Sequence, residues 1–325
     1  MERMKPFALT EPERRNSAVR RGYIWLCLAI LGLSCSISLA YSPNSSEQDN
    51  QQSPEELVRL TVANEISADN KSGTKLMYLS HKWTPQGVET KLNVETTEAT
   101  ASLLIERNNH PISAQERQQE DARLDQLSHS PGDLRHKQRQ EREDAQHTVR
   151  IIKALPYAFL YQFDGTEPGT ASVGKAGDEL IRLKLRPNPN YSPPSHVEQV
   201  LVGMQGSLLI DKNAHRIARI DARLFKDVSF GWGILGRLDR GGSFLVDQAE
   251  VSPGDWELTR TRLNFTGRIM LIKSLVIKSD ERDSDFQVVP SNTTFAKGVE
   301  LLKAEEAKMQ KEHEPDRAAV NGNKR

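Results

Sequence analysis

Gly206-Ser-Leu-Leu-Ile-Asp211, then Lys-Asn-Ala-His, then Arg216-Ile217, is the stretch on which the fold turns. Two apolar runs flank an Asp-Lys-Asn turn, whose side chains hydrogen-bond their own backbone. The joint is too short for a helical crossover, so the two runs must pair antiparallel. The same reading extends downstream over Ser243–Val251, Trp256–Phe265 and Arg268–Ser279. The joints are a glycine-rich stretch at 231–242, Ser252-Pro-Gly-Asp255 and Gly267. A meander over about 206–279 is expected.

Upstream, Leu180–Leu185 places Ile181, Leu183 and Leu185 on one face and Arg182 and Lys184 on the other. After Pro156, Tyr157, Phe159, Tyr161 and Phe163 recur with period two, which predicts four aromatics on one face of one strand. Lys75–Trp83, Val88–Thr96 and Ala99–Arg107 read as three more strands, with Pro85-Gln86-Gly87 as a turn. Ser53-Pro54-Glu55-Glu56 opens a helix with an N-cap, a proline at the first position and acids in the first turn. Leu57, Leu60, Val62 and Ile66 give it an apolar side. A last helix is expected over about Thr294–Gln310. About nine antiparallel strands in one unit must curl or close.

Residues 113–150 interrupt the strands. Ser113-Ala-Gln-Glu116 is a capping box. Two charged helical stretches follow, broken at Ser130-Pro131-Gly132. Leu124, Leu127 and Leu134 are nearly the only large apolar residues before Val149. A helix polar on all sides is no core element, so a water-exposed helical arm is expected.

Arg268–Ser279 does not alternate as a strand with one wet face should. Ile269, Leu271, Leu275 and Ile277 would share one face, and Met270, Ile272 and Val276 the other. On Trp256–Phe265 the apolar side switches along the length. A curled sheet with an apolar concave surface fits both patterns, as does a filled sandwich core.

The chain of 325 residues carries 44 Lys+Arg and 44 Asp+Glu, with 37% hydrophobic residues. Zero net charge argues against a nucleic-acid partner. Both cysteines, Cys27 and Cys35, lie in the apolar run Tyr23–Ala40, behind Arg14, Arg15, Arg20 and Arg21. A positive flank followed by an apolar run reads as a secretory leader. Three outcomes are open: cleavage after Ala40, lipidation at Cys35, or retention as a membrane anchor. Each puts the remainder outside the cytoplasm, in the periplasm or elsewhere in the cell envelope. The expected organisation is a leader over 1–40, a disordered linker over 41–52, one curved-sheet domain over 53–310 with its insertion at 113–150, and a disordered tail over 311–325.

The leader, the helix at Pro54–Ile66, the meander and the strand–aspartate turn–strand pattern at 206–217 together resemble the periplasmic lipoprotein-carrier superfamily, the LolA-like and LolB-like half-barrels. The resemblance covers about 53–110 and 156–305 and is one of topology. Phe-Gly-Trp-Gly and Pro-Gly-Asp-Trp also look like features of uncharacterised exported bacterial proteins, which imply no activity. The resemblance implies an α+β fold: a strongly curved antiparallel sheet, or half-barrel, with an N-terminal helix, a C-terminal helix and, as a departure from the family, an inserted charged helical arm.

Gly231-Trp-Gly-Ile-Leu-Gly236 matches G-x-G-x-x-G, but a dinucleotide site needs a helix after it, and Gly241-Gly242 would end one at once. It reads better as a hairpin tip carrying Phe230, Trp232, Ile234 and Leu235. The eight histidines are scattered, no pair has ligand spacing, and no G-x-S-x-G elbow occurs. No catalytic residue, metal or cofactor is expected. The expectation is a non-enzymatic envelope carrier or binding protein holding a lipid, acyl chain or lipoprotein in an apolar concavity. Its walls would be Tyr157, Phe159, Tyr161, Phe163, Phe230, Trp232, Ile234, Leu235, Trp256, Met270 and Ile272. The competing expectation is an envelope structural or interaction protein with a filled core, meeting an envelope partner through 113–150. Peripheral or anchored membrane contact is compatible with either.

Overall fold

A computed structural model describes residues 52–71, 73–231, 236–269 and 273–322. Helix α1 (Pro54–Lys71) begins as the sequence predicts. The Ser53 hydroxyl accepts from the Glu56 amide at 3.2 Å, and the Glu56 carboxylate accepts from the Ser53 amide at 3.1 Å. Strands β1 (Lys75–Thr84), β2 (Gly87–Val94), β3 (Ala101–Arg107) and the two-residue β4 (His110–Pro111) follow. Then come α2 (Ala114–His129) and α3 (Pro131–Ala158), with Ser130 capping the end of one and the start of the other. Strands β5 (Phe159–Pro168) and β6 (Glu179–Pro187) lead to the short α4 (His196–Gln199) and a 3₁₀ turn at Val200–Gly203. Next are β7 (Met204–Asp211), β8 (Ile217–Leu224), β9 (Val228–Phe230), β10 (Gly236–Leu238), β11 (Ser243–Ser252), β12 (Asp255–Ile269) and β13 (Lys273–Val289). Helix α5 (Phe295–Gly322) follows β13.

The strands form one antiparallel sheet of 13, in the order β4-β3-β2-β1-β13-β12-β11-β8-β7-β6-β5, with β9 and β10 attached beside β12. The sheet is not closed. The class is therefore α+β with a large antiparallel sheet and, among the described residues, five α-helices. Two apolar cores share one sheet. The larger gathers Leu57, Val58 and Val62 of α1 and Ile151 and Leu155 of α3 against β5–β12. The smaller sets Leu124 of α2 and Phe295, Val299 and Leu302 of α5 on β1–β3. A small third cluster, Val173, Leu180, Leu209 and Ala218, includes a residue of the β5–β6 loop.

Four expectations are corrected. Arg268–Ser279 is not one strand with two apolar faces. Ile269 ends β12 and pairs with Lys273, which starts β13, so the segment is divided between two strands, and on β13 Leu275 and Ile277 pack against the larger core. Its outer positions are wet, Val276 being 60% exposed. Gly267 is no joint but lies inside β12. It pairs with Leu238, and a side chain there would come within 2.1 Å of the Arg237 carbonyl oxygen. The charged half of β13, Asp280–Val289, went unread because alternating charge conceals a strand; it pairs β1 from Trp83↔Asp280 to Lys75↔Val289. The C-terminal helix continues past Gln310 to Gly322, through part of the expected tail.

A further correction concerns residues 113–150. They form two helices joined at Ser130, as read, but they do not stand out in water. Strand β3 has an outer edge beyond the reach of β4. There the Leu104 amide donates to Glu120 at 3.3 Å, the Ser102 carbonyl accepts from Arg123 at 2.6 Å, and the Thr100 amide donates to Glu141 at 3.1 Å. Residues 100, 102 and 104 are spaced by two, so their backbone groups point the same way. The charges also pair outward: Arg117 with Glu306, and Asp121 with Lys303 at 3.1 Å, tie α2 to α5. Open strand edges are aggregation templates, and covering them is the usual remedy.

Candidate functional site

Helices α1 and α3 lie on the sheet side that carries Leu185, Ala222, Phe244 and Val246. Register puts Leu185 opposite Gly206, Gly206 opposite Ala222 and Ala222 opposite Phe244 in one row across β6, β7, β8 and β11. Gly206 is dictated by the backbone, since a side chain there would come within 2.0 Å of the Asp221 carbonyl oxygen, whereas the small Ala222 borders a space under the helices. The space is a cavity of about 480 Å³. Ile66, Ile151, Leu155, Phe159, Ile217, Ile220 and Leu258 line it along with Phe244 and Val246. Exposed Gly73 and Gly254 also line it, so it reaches the surface at that end. Apolar walls with few polar groups are the usual makeup of a small-molecule site.

One polar element stands out in the wall. Arg216 Nε and Nη2 donate to the two carboxylate oxygens of Glu65 at 2.9 and 3.0 Å, and the Ile217 amide donates to Glu65 Oε1 at 2.7 Å. The guanidinium carbon lies 5.4 Å from the ring centroid of Trp256. This fork pins α1 to the start of β8. Both side chains are 12% exposed.

Of the expected wall, Phe159 and Trp256 line this cavity. The four-aromatic ladder does not exist as one strand. Helix α3 continues through Pro156, so Tyr157 sits in its last turn, 61% exposed, and β5 starts only at Phe159. Phe163 is 47% exposed on β5. Tyr161 is buried, and its hydroxyl donates to the Leu155 carbonyl at 2.8 Å, one of the last-turn carbonyls that lack an intrahelical partner. Burial and the neighbouring Glu55 push its phenol far above the usual range. Phe230 ends β9 and is buried in the larger core. Trp232, Ile234, Leu235, Met270, Ile272 and the leader positions Cys35 and Ala40 lie outside the described residues. The G-x-G-x-x-G stretch joins β9 to β10, which pair antiparallel through Phe230↔Gly236, so no helix starts at Gly236. The residues missed were Glu65 and Arg216, whose partnership spans α1 and β8, and apolar positions such as Phe244 that read as ordinary core. Only the alternation of β8 and β11 hinted at them.

A second cleft, of about 570 Å³, lies on the opposite face, lined by His81, Trp83, Arg262, Lys278, Asp280 and Arg282. Asp280 is occupied there by Arg260 at 2.9 and 2.7 Å and by Arg262 at 3.0 Å. Among the described residues no group of three His, Cys, Asp or Glu could hold a metal ion, and no helix is long and apolar enough to cross a membrane.

No protein-family model matches the chain. No curated protein matches it. Among solved structures the chain is similar to that of a DUF1329 family protein from Desulfovibrio piger. The identity is 9%, with 71% of this chain and 92% of that one covered, at a TM-score of 0.21.

Proposed function

We propose that this protein is a non-enzymatic carrier or binding protein of the cell envelope, and that it holds a lipid or lipoprotein acyl chain in the cavity under α1 and α3. The observation that carries the reading is the cavity itself: about 480 Å³, walled by aliphatic and aromatic side chains and reaching the surface. An acyl chain entering it loses apolar surface to water at roughly 0.8 kcal/mol per methylene, less the cost of immobilisation. In this reading the sheet curves as a half-barrel around the ligand, and the basic, apolar leader sends the chain out of the cytoplasm. Part of the charge of residues 113–150 is spent on the sheet edge, through Glu120, Arg123 and Glu141, and on α5, through Arg117 and Asp121, while Arg135, Arg139, Arg142 and Glu143 stay exposed.

Native mass spectrometry after gentle purification tests this. A co-purifying mass of lipid size, or saturable binding of the neutral dye N-phenyl-1-naphthylamine, is expected. Absence of both overturns the proposal.

A further inference from the structure

We propose that the cavity selects amphiphiles with an uncharged polar end, such as a long-chain alcohol or an acyl ester, and rejects ionised fatty acids. This rests on the reading that the cavity holds an apolar ligand.

The charge inventory of the wall carries the inference. Among the described residues lining the cavity, Arg216 is the single cation, and Glu65, Asp255 and Glu257 are the acids. Arg216 is already committed. Both oxygens of Glu65 take its fork, the Ile217 amide holds Glu65 in place, and Trp256 lies under the guanidinium. The pair presents itself to the cavity as one neutral unit. A carboxylate entering this space meets no uncommitted cation in the wall. It must break the fork, leaving Glu65 buried without its partner, or lie as an unpaired ion among Ile217, Phe244 and Leu258. Both are costly, because an uncompensated buried charge has lost its hydration with nothing in return. Asp255 and Glu257 add repulsion of the same sign. A hydroxyl or ester carries no such penalty and needs only neutral hydrogen-bonding groups, which Thr74 and Gln248 supply within the same wall.

The test is a ligand series of equal chain length on the full chain: a fatty alcohol, its methyl ester analogue and the corresponding fatty acid. Each competes with N-phenyl-1-naphthylamine at mildly alkaline pH, where the acid is ionised. The alcohol and ester are expected to displace the dye at least about tenfold more tightly than the carboxylate, which is about 1.4 kcal/mol. Glu65→Gln uncovers the charge of Arg216 and is expected to raise carboxylate affinity several-fold relative to the alcohol, so the ratio between the two ligands narrows. If the carboxylate binds wild type as tightly as the alcohol, the inference is overturned and the cavity reading survives. If neither dye nor any ligand binds, the cavity reading itself fails. Should Glu65→Gln not fold, as circular dichroism would reveal, the wild-type series decides alone.

Discussion

The guanidinium of Arg123, on α2, donates to the carbonyl oxygen of Ser102, on β3, at 2.6 Å. The same nitrogen also bonds Glu120, which accepts from the amide of Leu104. Side chains thus complete a ladder that no strand completes. Glu120→Ala leaves the Leu104 amide without an acceptor under a helix, and is expected to cost about 1–3 kcal/mol. Arg123→Ala is expected to cost less but to reopen the edge, so concentration-dependent light scattering should rise with either variant. Denaturant melts within about 0.5 kcal/mol of wild type, with no association, would sink the edge assignment.

Trp256 has one ring in two relationships, one with the cavity and one with Arg216. Trp256→Ala is expected to weaken dye binding roughly tenfold, since burying such a side chain is worth about 1.5–3 kcal/mol. A cation–π contact of about 0.5–2 kcal/mol goes with it, so the melting temperature should drop as well. Unchanged dye affinity in a folded variant would place the dye elsewhere.

Tyr161 separates a structural role from a ligand-binding one. Its hydroxyl satisfies Leu155 in the last turn of α3, and its ring meets Phe159 edge-on at 6.3 Å. Tyr161→Phe is expected to cost about 1 kcal/mol of stability and nothing in ligand affinity. A selective loss of binding would return Tyr161 to the ligand wall.

Two carboxylates should respond to acid in opposite senses. Burial raises Asp144 above its ordinary value, with His147 opposing and Glu143 assisting. The native state then holds the proton more tightly than the unfolded chain. Its contribution is present below the ordinary carboxylate value and is lost as pH rises through the folded value. Asp144→Asn is therefore expected to raise the melting temperature at neutral pH, with the gain fading below about pH 4. Burial would also raise Asp280, but the bonds from Arg260 and Arg262 outweigh it and hold it low. Its contribution is present above the ordinary value and disappears as pH falls through the folded one. Asp280→Asn should cost about 1 kcal/mol near neutrality and nothing in strong acid. Thermal melts across this range check both signs, and two variants shifting in the same sense would refute the scheme.

How far the fold could be read in advance depended on where polarity was put to use. Local signals spoke clearly. Ser53 with Glu56, Ser113 with Glu116, and the Pro-Gly and Asp-Lys-Asn turns all act within a few residues, and each sits where it was expected. Long-range polarity misled. The least exposed stripe of α3 runs Glu141, Asp144, Thr148, Ile151, Leu155, a helical spacing written first in polar groups and then in carbon, so its first half looks like a solvated face. Pro156 suggested a helix end but lies in the last turn, which moved Tyr157 off the strand. Of the candidate site, Trp256 and Phe159 were legible as apolar residues in strands. The Glu65–Arg216 fork was not, because nothing local brings α1 to β8.

The pairing of Lys75 with Val289 puts the first long strand of the sheet beside the last. A chain that grows from its N-terminus makes β1 early and its neighbour β13 almost at the end. Throughout that interval one side of β1 has no partner, and until β13 arrives so does one side of β12. The sheet is therefore a late event, limited by completion of the polypeptide rather than by any local step. Any truncation upstream of Lys273 would leave two sticky strand edges instead of a smaller working protein. The unfinished chain is the form that most needs shielding, by a holding chaperone or by rapid release.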